Sequence, residues 1–179
     1  ILLVQGLPNF EIHTPYNLTQ LNKLLQQPSD NPRYIRLTAN IVNDDFKNQS
    51  SNKPVFVACY GELVSACESV VQTLNIQGYN VGIMPFSFLD KNMIVNKIQN
   101  YMQSKFIVIE DQCELGGLYP ILRDINVSIL LHICMPLFPN LIASSRKELV
   151  KGYKLDEDSI TNRIMEVITL IGGDDNNVF

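Results

Sequence analysis

The sequence predicts an α/β fold: a three-layer α/β/α domain around a mostly parallel sheet, with a small βαβ unit at its amino-terminal end. Short apolar runs, typical of strands buried on both faces, alternate with segments whose apolar residues recur every three or four positions, as in helices. Roughly 20 residues separate successive strands, which suits right-handed crossovers between parallel neighbours. Apolar residues make up 46% of the chain, enough for a sizeable buried core.

The main domain is predicted over residues 54–171, where strand and helix follow each other in turn. Its strands are expected at residues 54–59, 80–84, 106–109 and 127–133, and its helices at 61–78, 90–102, from about Gly116, and at 156–171. Gly78 is expected to end the first helix because glycine adopts the left-handed conformation of a helix carboxyl end. Asp90 is expected to cap the second helix, and acidic residues suit the first turn of the last one. Residues 172–179 are interpreted as a tail.

Residues 1–37 are predicted to form a separate βαβ unit, with strands at 10–14 and 33–37 around a helix at 17–26. Residues 38–53 show no periodicity and are rich in Asn, Asp, Ser and Gln, so we interpret them as a linker. A single βαβ unit cannot cover both faces of its own strands. We therefore expect it to be the last piece of a neighbouring domain.

The charge balance excludes some classes of partner. Fourteen Lys and Arg residues against 18 Asp and Glu give a net charge of −4, whereas nucleic acid or an anionic membrane requires an excess of cations. Charged residues total only 18%, against about 25% in typical domains, and so weakly charged a surface favours burial against a protein partner. No apolar run reaches the roughly 18 residues of a membrane span, and we expect no signal peptide.

The four cysteines show neither a metal-binding nor a disulfide pattern. Cys59, Cys67, Cys113 and Cys134 contain no C-x-x-C pair, so a zinc site of the finger or ribbon type is not predicted. Cys59 and Cys67 lie in apolar patterns and are interpreted as small buried hydrophobic residues. Free cysteines fit a reducing compartment, and we expect a cytoplasmic protein.

Acidic and histidine side chains are sparse, and we interpret them as structural. His13 and His132 lie in predicted strands without the partners that a catalytic triad or a histidine metal site needs. Glu110 and Asp111 end a predicted strand at the edge where open α/β sheets bind ligands, and Glu114 follows. We interpret them as capping or interface hydrogen-bonding groups. The alternative is an acidic cluster for a cation or for acid–base catalysis.

Glycine and arginine offer weak signals for anion binding. Gly61 and the glycines at residues 116–117 stand at helix entrances, where backbone N–H groups can receive an anion, but no glycine-rich nucleotide motif is present. Arg33 and Arg36 flank a strand and could grip a phosphate with two hydrogen bonds, the alternative being a solvated or interface arginine. The residues alone therefore predict no catalytic residue, no metal ligand and no cofactor contact.

Several segments resemble the transketolase carboxy-terminal domain family of thiamine diphosphate-dependent enzymes. In chain order they are residues 54–69, residues 78–84 with Leu89 and Asp90, residues 106–110 with the glycines at 116–117, and residues 145–153 with Leu155, Asp156 and Ile160. Residues 7–15 and 32–37 are similar to the last βαβ of the pyrimidine-binding domain that precedes it. The family includes transketolases, some split into two chains, deoxyxylulose-phosphate synthases and beta subunits of 2-oxo acid dehydrogenases.

The resemblance implies that this chain is part of a larger enzyme and does not perform its chemistry. In the family, thiamine diphosphate and Mg²⁺ lie between a pyrophosphate-binding and a pyrimidine-binding domain, and the catalytic glutamate precedes the region matched here. The parent enzyme would hold these cofactors, while this chain would bind none, supply packing and dimer contacts, and be inactive alone. Its expected partner is the rest of the parent enzyme or its other subunit, in a homodimer or a heterotetramer.

Arg36 is the one substrate contact that the resemblance carries over. Phosphate-binding relatives have a second arginine where this chain has Ala39, and Ser87 and Phe88 replace a Lys-Pro pair of the family. The predicted function is a non-catalytic assembly domain of a transketolase-like or 2-oxo acid dehydrogenase-like enzyme. One alternative is a stand-alone interaction module of the same fold. The other is an unrelated flavodoxin-like domain, although the first strand lacks the acidic pair of a receiver's metal site.

Overall fold

The computed structural model describes residues 2–37, 53–137 and 145–174. Their helices and strands, in chain order, are α1 (Leu2–Gln5), β1 (Glu11–His13), α2 (Leu18–Gln26), β2 (Arg33–Ile35), β3 (Val55–Tyr60), α3 (Val64–Ile76), β4 (Val81–Phe86), α4 (Lys91–Ile98), β5 (Lys105–Cys113), α5 (Tyr119–Asp124), β6 (Ser128–Met135), α6 (Arg146–Gly152) and α7 (Glu157–Asp174). Single turns of 3₁₀ helix precede α3 and follow α4. None of the helices in the described ranges has both the length and the apolar character needed to cross a membrane.

The main sheet has four strands in the order β4-β3-β5-β6, and every pairing between them is parallel. The predicted α/β class with a parallel sheet is therefore confirmed. The chain runs from β3 outward to β4 and then crosses back to β5 on the other side of β3. The carboxyl ends of β3 and β5 thus flank the point where the strand order reverses, which is where open α/β sheets place their ligands.

Two cores, one on each face of the sheet, make the domain three-layered. Because side chains alternate along a strand, Val57 and Cys59 face the core formed with α3 and α7, whereas Ala58 and Tyr60 face the core formed with α4 and α5. All six residues of β3 are buried, as its continuous apolar run predicts. The predicted apolar stripe of the last helix is confirmed by three buried isoleucines, Ile160, Ile164 and Ile168.

The amino-terminal residues form a parallel βαβ unit that packs against the main domain. β1 and β2 pair in register from Glu11 opposite Arg33, and Asn17 caps α2 by accepting a hydrogen bond from the backbone of Gln20 at 2.9 Å. On its other side β1 meets the connection between β4 and α4, where the backbone N–H of Thr14 donates to the carbonyl of Ser87 at 2.8 Å. The domain boundaries at residues 37 and 53 stay a prediction.

The structure differs from the expected elements in several places, of which the following bear on the site. β5 runs on to Cys113, so Glu110 and Asp111 lie within the strand rather than after it, beside an irregularity in its pairing with β6. α5 begins at Tyr119, a few residues after the glycines, because Gly117 takes a left-handed φ of 83° that interrupts a helix. The short helix α1 was not predicted. Most of the predicted linker lies outside the described residues. Of the predicted tail at residues 172–179, residues 172–174 belong to α7 and the rest lie outside the described residues.

Candidate functional site

The carboxyl ends of β3 and β5 form a crevice, here called the β3–β5 crevice, that the amino-terminal unit enters. β3 runs directly into Gly61 and Glu62, and Asp111 lies near the end of β5. Arg36 follows β2 immediately, and its guanidinium reaches both carboxyl groups. A side chain of the same chain therefore lies where this class of sheet would place a ligand.

Arg36 makes a two-pronged hydrogen bond with Asp111. Its Nη1 lies 2.9 Å from Asp111 Oδ1 and its Nη2 lies 2.5 Å from Asp111 Oδ2, while the same Nη2 is 3.3 Å from Glu62 Oε1. The side chains of Asp111 and Glu62 are only 9% and 7% exposed. This bidentate geometry is the one in which arginine binds a carboxylate most strongly. Burial lowers the pKa of Arg36, but the hydrogen bond and charge of Asp111 outweigh it and hold that pKa above its usual value.

Arg146, in the first turn of α6, also pairs with Glu62 and completes a four-residue group. We call Arg36, Glu62, Asp111 and Arg146 the Arg36 cluster. Burial and the hydrogen bond and charge of Asp111 raise the pKa of Glu62 to about 7, against the opposing charges of Arg146 and Arg36. Burial raises the pKa of Asp111, but hydrogen bonds from Arg36 and Glu62 lower it by more than burial raises it. The pKa of Asp111 therefore lies below its usual value. As the pH rises, Asp111 therefore ionises before Glu62.

Glu110 points away from Asp111 and is fully buried. It accepts hydrogen bonds from the backbone N–H groups of Leu118 at 2.7 Å and Tyr119 at 3.1 Å, and its other close partner is Nε2 of His132 at 2.9 Å. The Tyr119 ring stacks on the His132 imidazole with centroids 3.9 Å apart. The interpretation of Glu110 as a capping group fits this geometry. The alternative acidic cluster does not form, because these two carboxyl groups diverge and Glu114 is exposed.

The two glycine helix entrances are filled by side chains of this protein. Gly61 and Gly117 both take left-handed φ values, of 68° and 83°. A Cβ at Gly61 would lie 2.8 Å from Thr14 Cγ2, and a Cβ at Gly117 would lie 1.9 Å from Glu110 Oε2. The side-chain amide of Gln5 also donates to the carbonyl of Gly117 and accepts from its N–H, each at 2.9 Å. Neither entrance therefore presents an open anion site.

Arg33 and His13 lie apart from the crevice and hold the amino-terminal unit together. Arg33 Nε is 2.7 Å from Glu11 Oε2, and its Nη1 donates to the carbonyls of Leu24 at 2.9 Å and Gln27 at 2.6 Å. His13 Nε2 lies 3.3 Å from the same Glu11 oxygen. Hydrogen bonds from Ser29 and Arg33 lower the pKa of Glu11 to about 2. The structure thus separates the two predicted arginines, and only Arg36 reaches the sheet.

The cysteines are free and contribute no chemistry to the crevice. Cys59 and Cys67 are fully buried, which confirms their interpretation as core residues. Burial, followed by the hydrogen bond with Cys67, holds the pKa of Cys59 well above its usual value, so the reactive thiolate is disfavoured. Within the described ranges no group of three or more His, Cys, Asp or Glu residues is arranged to hold a metal ion.

Sequence reasoning missed three residues that link the amino-terminal unit and α6 to the crevice: Gln5, Thr14 and Arg146. Thr14 is fully buried and donates a hydrogen bond to the hydroxyl of Tyr60 at 3.0 Å. The start of α6 was accessible from the sequence, because Ser145 and Glu148 form a capping box with the S-x-x-E spacing. No local pattern signals the contacts of Gln5 or Thr14.

Comparisons with solved structures show a transketolase-like fold. A split-gene transketolase, described as an inactive beta4 tetramer, matches with a TM-score of 0.72 and 17% identity over 94% of this chain and 61% of that chain. Transketolase from Campylobacter jejuni matches with a TM-score of 0.66 and 15% identity over 92% of this chain and 27% of that chain. Transketolase from Leishmania mexicana matches with a TM-score of 0.70 and 11% identity over 92% of this chain and 26% of that chain. This chain thus spans about three-fifths of the split-gene chain. No family model and no curated protein matches it.

Proposed function

We propose that this chain is the non-catalytic, carboxy-terminal assembly domain of a thiamine diphosphate-dependent enzyme of the transketolase or 2-oxo acid dehydrogenase type. The observation that carries the proposal is the filled β3–β5 crevice in a chain with the transketolase fold. Thr14 and Arg36 of the amino-terminal unit bind Tyr60 and Asp111 at the edge of the sheet where open α/β domains generally place ligands. The domain then serves to hold neighbouring parts of the enzyme, while thiamine diphosphate and Mg²⁺ bind elsewhere in the parent.

Arg36 stays the one proposed substrate contact. A substrate phosphate would have to compete with Asp111 and Glu62, which already occupy three of the hydrogen bonds that its guanidinium donates. Breaking such pairs is costly because it leaves carboxylates uncompensated in a largely buried place. These contacts therefore favour an assembly role for Arg36. Arg36 could bind a substrate phosphate only if the complete enzyme rearranged so that these contacts were broken.

The amino-terminal unit carries the proposed partner surface. Several of its large apolar side chains are exposed: Leu3 at 88%, Leu25 at 63% and Leu37 at 63%. Among the described residues β2 pairs only with β1, so its other edge is open. Parallel sheets are normally covered on both faces, which supports a partner that completes this one. We propose the remainder of the parent enzyme or its other subunit, in a dimer or heterotetramer; free cysteines suit a cytoplasmic enzyme.

Light scattering at increasing protein concentration tests this surface. In the absence of its partner the chain should self-associate through the exposed leucines, and the double variant Leu25→Gln, Leu37→Gln should weaken association at least about tenfold, because burial of one leucine contributes roughly 1.5–3 kcal/mol. Ile76→Gln is the matched control, since Ile76 is 86% exposed but lies at the end of α3. A wild-type chain that stays strictly monomeric at high concentration would contradict the proposal.

The alternative function is a stand-alone interaction module with the same fold and no active parent. It is favoured by Ala39, which stands where phosphate-binding relatives carry a second arginine, and by the low charge content of the chain. The two functions differ in their genetic context. A neighbouring coding region for a pyrimidine-binding domain with a catalytic glutamate, or for a separate diphosphate-binding chain, would support the enzyme.

A further inference from the structure

The Arg36 cluster joins three separate parts of the chain at one point. Arg36 comes from the amino-terminal unit, Glu62 and Asp111 come from the ends of β3 and β5, and Arg146 comes from α6. The two carboxylates are nearly buried, whereas the Arg146 side chain is 53% exposed. The polar contact of α6 with the end of β3 is therefore made by a buried carboxyl group and a solvent-facing partner, beside the packing of Val150 against the core.

The two carboxyl groups differ in what they hold. Asp111 binds Arg36 through both of its oxygens, at 2.9 and 2.5 Å. Glu62 makes the longer contact to Arg36, at 3.3 Å, and is the carboxylate that pairs with Arg146. Glu62 also lies beside Asp111, whose negative charge favours a proton on Glu62. A proton on Glu62 and the ion pair with Arg146 thus compete for the same carboxyl group.

We propose that Glu62 is a proton-operated latch. In the ionised form Glu62 pairs with Arg146 and holds the amino end of α6 against the sheet. When Glu62 takes up a proton, its O–H donates a hydrogen bond to Asp111, and Arg146 is released. The bidentate pair of Arg36 with Asp111 stays in place in both forms. The latch concerns contacts within this chain and stands independently of the proposed function.

The groups around Glu62 make it the one that responds near neutral pH. Facing the cluster are Arg36 after β2, Tyr60 from β3, Asp111 with its neighbour Gln112 from β5, and Arg146 from α6. Burial raises the pKa of Tyr60, and the contacts with Asp111 raise the pKa of Arg36. Between pH 6 and 8 Tyr60 therefore stays neutral and Arg36 stays positively charged. The pKa of Asp111 is lowered, whereas that of Glu62 is raised to about 7. The proton is therefore taken up by Glu62.

Amide hydrogen exchange of the α6 peptide tests the latch, with labelling times scaled for intrinsic exchange at pH 6 and pH 8. In the wild type α6 should exchange about two- to fivefold faster at pH 6, the amount expected from one partly exposed ion pair. Glu62→Gln should show the faster rate at both pH values. Glu114→Gln, which alters an exposed carboxylate outside the cluster, should keep the wild-type response. A pH response that survives in Glu62→Gln, or is absent from the wild type, would overturn the proposal.

Two further measurements test the latch even if the Glu62→Gln variant fails to fold. Arg146→Gln removes the exposed partner and leaves the buried groups intact, so the pH response of α6 should vanish while the protein stays folded. Carboxyl ¹³C NMR should place the titration of wild-type Glu62 near pH 7 and move it upward in Arg146→Gln, because Arg146 lowers the pKa of Glu62. A midpoint for wild-type Glu62 below pH 5 would rule the latch out.

Discussion

At the scale of single residues, Gly117 and Glu110 depend on each other. The left-handed turn at Gly117 brings its backbone so close to the Glu110 carboxylate that no side chain fits between them. The same turn aims the N–H groups of Leu118 and Tyr119 at that carboxylate. A fully buried acid is therefore satisfied by the start of a helix and by His132, as buried charged groups must be.

Replacing Gly117 by alanine should destabilise the fold far more than replacing a glycine with open space around it. A Cβ at residue 117 would displace Glu110 and force a left-handed conformation on alanine, and together these should cost about 3 kcal/mol in the free energy of unfolding. Gly78 has a similar φ of 93°, but a Cβ added there would meet no atom within 4 Å, so Gly78→Ala should cost only about 1 kcal/mol. Urea unfolding of both variants makes the comparison, and equal losses would contradict this account of the Glu110 site.

At the scale of elements, the predicted strands and helices form because apolar periodicity is a local property. The errors of the sequence prediction lie where contacts between distant residues determine the end of an element or the partner of a side chain. Glu110 and Asp111 look like the end of a strand, yet β5 continues past them, because Cys113 pairs again with Met135 of β6 after an irregular stretch. The pairing of Arg36 with Asp111 spans 75 positions in the chain, and no local spacing encodes it. Arg36 could therefore be named from the sequence, whereas its partners could not.

We expect the pairing of Arg36 with Asp111 to be the strongest polar contact between the amino-terminal unit and the main sheet. Arg36→Gln leaves the largely buried Asp111 without a cation and Glu62 with Arg146 alone. We expect the unfolding free energy to fall by about 3 kcal/mol, with faster hydrogen exchange in β1 and β2. Lys91→Gln is the matched control, because Lys91 pairs with Asp124 on the surface and such pairs contribute about 0–1 kcal/mol. If the two variants unfold at the same urea concentration, the strongest polar contact is not at Arg36.

At the scale of the whole molecule, the fold class and the order of elements could be predicted because a parallel α/β sheet has a simple alternating pattern. The transketolase-like fold extends over 94% of this chain and includes the amino-terminal βαβ unit. What the pattern could not reveal is that this unit fills the β3–β5 crevice, since that depends on contacts between segments far apart in the chain. That packing supports the proposed assembly role.

The most direct test of that role is a calorimetric titration of the chain alone with thiamine diphosphate and Mg²⁺. An intact transketolase in the same buffer serves as the positive control. We expect saturable binding by the control and none by this chain, because the proposal places the cofactor site in other domains of the parent enzyme. Saturable binding to this chain would contradict the account, since the cofactor site would then lie within these 179 residues.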